Sequence, residues 1–440
     1  MKTPLSSRLP QKLKLLAAVV GMLSLPAMAA SSSCISDPSW FPHAQTPEPD
    51  NQGFASSSNC EFQQWSWQMF LWLTQSVNGQ PRFLSFASPF SLLGMADFGM
   101  VPKTRTNTDA QSFDEYLQAG TDGVLVDQQG KAVYYSQYLD NTFTQFIVSN
   151  KLTDPAVVRK FNATTSFPIG SLELKAAWKQ VQPGDNTDDM FTMDGKINKL
   201  ANKNGQIVID PTQTQTVKLA LVGFHIGGVV NGHPEMIWAT FEHQRNAPNV
   251  PARVTPTTII SNENWTFYKA NTPYKDCNLN WVATNKLVLN EKTQTLSPIT
   301  QVCRQYPFGN DPTSPNPSIV INDKNIASLN QDVLSKLDPN DVWHNYTLIG
   351  AIWFAAIDGL KPNMALDTDV ILTGSVKLSN STVETYTQVQ STMNNCFRCH
   401  NTLSAFPSST DLYPLPPLNL NISHAFQNIY FWSQQQPAKK

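Results

Sequence analysis

The stretch Cys396-Phe397-Arg398-Cys399-His400 carries the most specific chemistry in this 440-residue chain. Two thiols three residues apart on one helical turn reach the two vinyl groups on one edge of a porphyrin and add across them. The histidine that follows then places its imidazole beneath the iron as proximal ligand, so C-x-x-C-H is the attachment pattern of c-type haem. With six cysteines and seven histidines in the chain, chance produces the pattern roughly 0.001 times per sequence. Competing chemistry is poorly served. A zinc site needs a second Cys or His pair at ligand spacing, and the other four cysteines are isolated. A thiol–disulfide exchange motif would follow an early strand of a βαβ unit, whereas this one lies close to the last residue. A disulfide closed within the motif would be strained. One covalently attached haem c is therefore the expected cofactor, with Cys396 and Cys399 as its anchors and His400 on the iron.

Over residues ~380–434 the chain resembles the cytochrome c family, specifically at Cys396, Cys399 and His400 and loosely elsewhere. Ser381-Thr382 ahead of Glu384 reads as a helix N-cap, with a helix running to about Asn395 and presenting the motif. A last amphipathic segment, Ile422 to Trp432, carries Ala425, Phe426, Ile429 and Tyr430 on one face, as the terminal helix of a small cytochrome does. The departure from the family matters more. Small members supply a distal Met well downstream of the motif, and here no Met follows Met393. Only Asn401 to Leu420, including the stiff run Leu412 to Pro417, separates the motif from the last helix. The sixth iron position is thus filled by something else, or is open. Asn380 to Trp432 is also too short to enclose a haem, so the larger part of the chain must cover one face of the porphyrin.

Elimination narrows the sixth ligand. Met393 stands three residues before Cys396 and points along the proximal side. His424 opens the last helix, which should lie away from the distal face, and His43 and His344 have no local pattern that ties them to haem. Val217 to His243 is richer. It reads as two strands joined by Gly227 to Pro234, and it holds His225, His233 and His243 with Glu235 and Glu242. Alternation places His225 with Leu219 and Leu221, and His243 with Ile237, Ala239 and Phe241. His225 is the expected distal residue, because Gly227-Gly228 beside it would let a flat cofactor approach the backbone. His243 comes second, and an open site with His225 nearby third. Glu173 and Lys175 alternate with apolar residues and read as a solvated strand face, an inward pair beside a site being the alternative. The stretches Glu173–Trp178 and His233–His243 also resemble little-characterised secreted bacterial proteins grouped with the cytochrome c family, which brings no substrate.

The elements that must position these residues read as α+β. A large, strand-rich, mostly antiparallel domain over 30–375 precedes a short helical, cytochrome c-like haem-binding segment over 376–440. Helices are expected over 61–74, 139–149 and 326–337, where apolar residues recur at helical spacing. Strand-like runs are Leu172–Ala177, Ile207–Ile209, Val217–Ile226, Met236–His243, Leu287–Leu289, Thr347–Phe354 and Val370–Val376. Val126 and Ala132 flank a hairpin turn. Strands this frequent without regular helix alternation point to antiparallel sheet. Asp185 to Asp189 lacks Ca²⁺-loop spacing and reads as a polar loop.

Hydrophobic residues are 41% of the chain and charged residues 15%, which excludes a disordered polypeptide. The net charge of -2 and the lack of a basic cluster past Lys14, apart from the Lys439-Lys440 end, exclude nucleic acid as a partner. Residues 1–29 have four cations, an apolar run from Leu15 to Leu25 and Ala27-Met28-Ala29, the layout of a secretory signal peptide cleaved near Ala29. No other segment is long and apolar enough to span a membrane. Export to the periplasm permits disulfides. Cys34 with Cys60 and Cys277 with Cys303 are the natural pairs, the second flanking a hairpin, although spacing leaves the crossed pairings open. The expectation is an exported single-haem c-type cytochrome acting in periplasmic electron transfer with an unidentified redox partner. A haem-dependent oxidoreductase of peroxidase or oxygenase type, with an open distal site lined by the large domain, is the alternative.

Overall fold

Alternating apolar residues build one seven-stranded antiparallel sheet, the centre of this α+β, strand-rich fold. The computed structural model describes residues 33–43, 58–93, 116–389, 395–405 and 414–434. The expected leader, Met393 and the Leu412-Tyr413 part of the stiff run lie outside these residues. The strands are β1 (Tyr134–Leu139), β2 (Leu172–Gln180), β3 (Thr192–Lys203), β4 (Gln206–Val230), β5 (His233–His243), β6 (Tyr346–Phe354) and β7 (Leu372–Gly374). Their order is β7-β6-β5-β4-β2-β1, with β3 paired to the first half of the long β4. Asn204-Gly205, both at positive φ, makes the β3–β4 turn, as a tight hairpin requires.

The two faces of the sheet have different covers. On one face Leu174, Trp178, Leu221, Phe224, Ile226, Ile237 and Phe241 pack against α1 (Asn59–Thr74) and α3 (Pro317–Lys336). Helix α1 starts in a capping box between Ser58 and Glu61 and buries Phe62, Trp65, Met69 and Leu73, whose spacing predicts it, together with Phe70, while Trp72 of the same pattern is only partly buried. Helix α3 starts at Pro317 with Asn316 as its cap, nine residues before the periodic part legible in sequence. On the other face Trp238, Ile352 and Leu139 join Phe397, Leu420, Ile422, Phe426, Ile429 and Tyr430 of the C-terminal segment. That segment ends in α4 (His424–Gln434). A further helix, α2 (Asn141–Ser149), follows β1 and is capped by Asp140. Leu139, read as its first residue, is instead the last of β1. From Cys34 onward the described residues form one compact unit, so those of the C-terminal segment pack as a layer on the sheet.

The helix expected from Ser381 to Asn395 does not form over its described part. Residues 381–386 are turns with a bend at Glu384, followed by one 3₁₀ turn at Thr387–Val389. The segment keeps local bonds, among them Glu384 N–H to the Asn380 carbonyl (2.9 Å) and Thr385 Oγ1 to the Ser381 carbonyl (2.6 Å), and is also tied to the sheet and to the 116–120 loop. Asn380 Nδ2 donates to Thr240 Oγ1 (2.8 Å), Tyr135 Oη donates to the Thr382 carbonyl (2.8 Å), and Gln118 Oε1 accepts from the Thr385 amide (2.6 Å). The approach is close enough that a Cβ on Gly223 would lie 2.3 Å from Thr382 Oγ1.

Cys34–Cys60 and Cys277–Cys303 are disulfide-bonded, each with Cα atoms 5.6 Å apart. Each closes a loop of separation 26, and loops of that size stabilise by about 3 kcal/mol in the chain-entropy picture. A Cys34→Ser/Cys60→Ser variant should therefore lose about 3 kcal/mol in urea unfolding. A loss near zero would show that α1 is fastened by its core contacts alone.

Candidate functional site

The motif sits where its sequence requires one tight turn. Asn395 caps it by accepting the Phe397 amide (2.9 Å), and the Cys399 and His400 amides both bond the Cys396 carbonyl (3.2 and 2.9 Å). Phe397 points into the core against Phe354, ring centroids 4.9 Å apart, which anchors the turn to β6. Cys396 and Cys399 are both free thiols, half-buried and exposed respectively. Burial pushes the Cys396 thiol well above its ordinary range, and the Cys399 thiol is also raised by burial. A disulfide-exchange pair needs the opposite shift, a stabilised thiolate.

His400 is oriented from three sides. Its Nδ1 donates to the Ile422 carbonyl (2.7 Å), which leaves Nε2 as the nitrogen able to bind a metal. Its ring stacks on His424 at 4.0 Å and meets the Trp238 indole at 3.9 Å. Burial holds its pKa well below the ordinary histidine range, with His424 adding to the effect. A neutral imidazole with a fixed tautomer is the form a metal takes.

The thiols and His400 line a cavity of about 450 Å³ together with His225, Glu173, Lys175, Trp238, Glu384 and His424, a size typical of small-molecule and cofactor sites. The sheet supplies one wall through register. Lys175 of β2, His225 of β4 and Thr240 of β5 are direct cross-strand neighbours, with Gln137 of β1 beyond Lys175. His225 Nε2 lies 2.9 and 3.1 Å from the two Glu384 oxygens, and Glu384 also accepts from the Asn380 amide (2.9 Å). The turn replacing the expected helix thus delivers a carboxylate to His225.

Several expectations change here. His225 does not share a face with Leu219 and Leu221. A bulge pairs Trp178 with Leu221 and Ala177 with Gly223, so Val222 is the extra residue and the alternation slips by one. That slip turns His225 towards the C-terminal layer while Leu219 and Leu221 stay in the helix-covered core. Gly227 and Gly228 do not leave the backbone bare for a cofactor. A Cβ on Gly227 would meet the Trp238 ring at 2.7 Å, and one on Gly228 the Trp65 ring at 2.6 Å, so each glycine makes room for an indole. His243 lies on the opposite face, fully buried, with Nε2 3.0 Å from the Asp189 carbonyl. Burial lowers its pKa to about 4. It is not a site residue, and neither is His233, which pairs with Glu235 (2.8 Å). His424, set aside from sequence, stands against His400. Glu173 and Lys175 line the cavity instead of a solvated face, Glu173 being only 5% exposed. Trp238 and Glu384 gave no signal in the sequence beyond the side of the strand on which Trp238 falls.

The chain has no match among family models, curated proteins or solved structures.

Whether the cavity suits a haem can be judged from its donors. Among the described residues no three His, Cys, Asp or Glu gather as a metal cluster. Four buried polar atoms without a hydrogen-bond partner belong to cavity-lining residues: Gln137 Oε1, Glu173 Oε2, Trp238 Nε1 and Asn395 Nδ2. Buried polar atoms are ordinarily paired, so the wall lacks a polar partner. Two free thiols, an imidazole with Nε2 available and two unpaired donors, Trp238 Nε1 and Asn395 Nδ2, fit a porphyrin with carboxylate side chains, whereas Gln137 Oε1 and Glu173 Oε2 are acceptors.

Proposed function

We propose that this chain carries one haem c, bonded through Cys396 and Cys399 with His400 as proximal iron ligand, and that it is an exported single-haem electron-transfer protein of the cytochrome c family. The observation that most supports the reading is that the C-x-x-C-H turn and His225 line one cavity. When bound, the haem supplies one-electron exchange between ferric and ferrous iron. The chain does the rest. The thiols hold the edge of the ring, the Ile422 carbonyl fixes the His400 tautomer, and Trp238 and His424 cover the imidazole. His225 is the distal residue, and the redox partner is a protein or small molecule. The two disulfides are compatible with an oxidising compartment. No helix of the described residues is long and apolar enough to cross a membrane. A periplasmic fraction whose mature chain starts at Ala30 would support export.

One observation favours the second reading, a haem-dependent oxidoreductase with an open distal position. Glu384 holds Nε2 of His225, and a carboxylate-backed imidazole is arranged to exchange protons rather than to coordinate. The ferric spectrum of the purified protein separates the two: low spin supports electron transfer, high spin the enzyme. His225→Ala gives the second cut. For electron transfer with His225 as sixth ligand, the variant should become high spin and recover low spin with added imidazole. For the enzyme, the spin state should hold while peroxide reactivity falls by about 10²–10⁴. If neither changes, His225 is not at the site.

A further inference from the structure

We infer that Glu173 is the proton-exchanging group of the haem site: when an external one-electron donor reduces ferric iron to ferrous, the Glu173 carboxylate takes one proton from solvent and becomes a carboxylic acid, so the cavity's charge does not change. The inference rests on the haem reading and adds to it a coupled proton. Glu173 stands on β2, across from Gly227 of β4, and is the buried one of the three carboxyls that line the cavity, Asp122 being exposed and Glu384 half-buried. Its Oε1 accepts the Ala425 amide (3.1 Å) in the first turn of α4, and its Oε2 is buried with no hydrogen-bond partner. An ionised carboxylate with one oxygen unsolvated is costly, and a proton removes the cost. The same short segment connects Glu173 to the proximal histidine. Ala425 bonds the carboxyl, and three residues earlier the Ile422 carbonyl bonds His400 Nδ1. Glu173 and His400 are thus held by the same four-residue stretch of backbone, which puts charge on the carboxyl close to the carbonyl that orients the imidazole.

Burial pushes this carboxyl up to about 7, against the opposing effects of the Ser423 hydroxyl, the Ala425 amide and Lys175. It therefore stands between its two protonation states at neutral pH. The other charged or titratable groups facing the cavity are Lys175, His225, Glu384, Arg398, His400 and His424, with Asp122 and the two thiols. His400 is held neutral by burial, and the thiols are raised by it. The chief competitor is the His225–Glu384 pair.

The test is the midpoint potential of the haem-loaded protein against pH. The wild type should fall by up to about 59 mV per pH unit through neutrality, one proton per electron. Glu173→Gln, which keeps shape and the Oε1 acceptor, should flatten the profile while its thioether spectrum stays unchanged. A slope that survives in Glu173→Gln, or vanishes only in Glu384→Gln, overturns the inference. Should Glu173→Gln fail to fold, the wild type itself answers. Its redox-difference infrared spectrum should gain a protonated-carboxyl band on reduction that moves with ¹³C-labelled glutamate, and no such band overturns the inference. A chain that releases all its haem into acid–acetone overturns the haem reading, and this inference with it. A chain that keeps haem but has a flat potential overturns this inference alone.

Discussion

Replacing both thiols, Cys396→Ala/Cys399→Ala, should abolish covalent haem altogether. Wild-type protein should keep its haem through acid–acetone extraction and through denaturing electrophoresis, and the double variant should keep none. Each single variant should retain one thioether and show the shifted absorption of a haem with one unreacted vinyl. The expectation follows from the state of these two cysteines. Four of the six cysteines are paired in disulfides, and these two stay free on a single turn whose carbonyl and amides hold them beside His400. Burial raises both thiols, which disfavours the thiolate that disulfide exchange would need. A Cys399→Ala protein with an unaltered doubly linked spectrum would show that the motif does not attach haem. The structure would then have two free thiols and four unpaired polar atoms around a cavity with no assigned guest.

What the sequence reveals of this molecule follows how locally each feature is encoded. The motif is legible because five consecutive residues specify it, and the disulfides because four remaining cysteines at equal spacing pair in only a few ways. Helix α1 is legible because Phe62, Trp65, Met69 and Leu73 repeat at its period. Strand β3 is not, because most of its positions are polar or charged and only Gly195, Ile197, Asn198 and Leu200 are buried, so it pairs with β4 without an alternating pattern. The face of His225 departs from the alternation for a reason no periodicity count can detect. Val222 is apolar and continues the run of Leu219 and Leu221, yet it is the bulged residue, and one extra residue reverses every later side chain. Glu384 shows the opposite limit. Its neighbours Ser381 and Thr382 have helix-capping types, but their groups are taken up by Glu242 and Asn380, contacts more than a hundred residues distant in the first case. Long-range partners override the local preference. The wall of the site is therefore tertiary, while its reactive turn is local.

Those long-range contacts fix the second large expectation, that Glu242→Ala should destabilise the chain by about 3–5 kcal/mol, the cost of stranding one partner of a buried ion pair. Glu242 is fully buried on β5, and Arg304, only 6% exposed, meets it at 2.5 Å. Arg304 also donates to the Ala247 carbonyl and Asn249 Oδ1, so it cannot swing to solvent without breaking further bonds. The same carboxylate accepts the Ser381 amide (2.6 Å) and hydroxyl. It is thus the peg that holds the turn carrying Glu384 over His225. Urea unfolding measures the cost, and a double-mutant cycle identifies its cause. If the loss comes from the stranded guanidinium, Glu242→Leu combined with Arg304→Met should recover much of it, since apolar residues of similar volume replace buried pairs at little cost or with a gain. Stability recovered in that way should not bring the site back, because leucine cannot hold Ser381. The haem-loaded double variant should then fold well and still show the altered ferric spectrum of a site whose Glu384 has moved off His225. A Glu242→Ala protein within about 1 kcal/mol of wild type, in the range of an exposed pair, would mean that the turn is held by Asn380 and Gln118 instead. The sheet and the proposed haem layer would then be fastened independently.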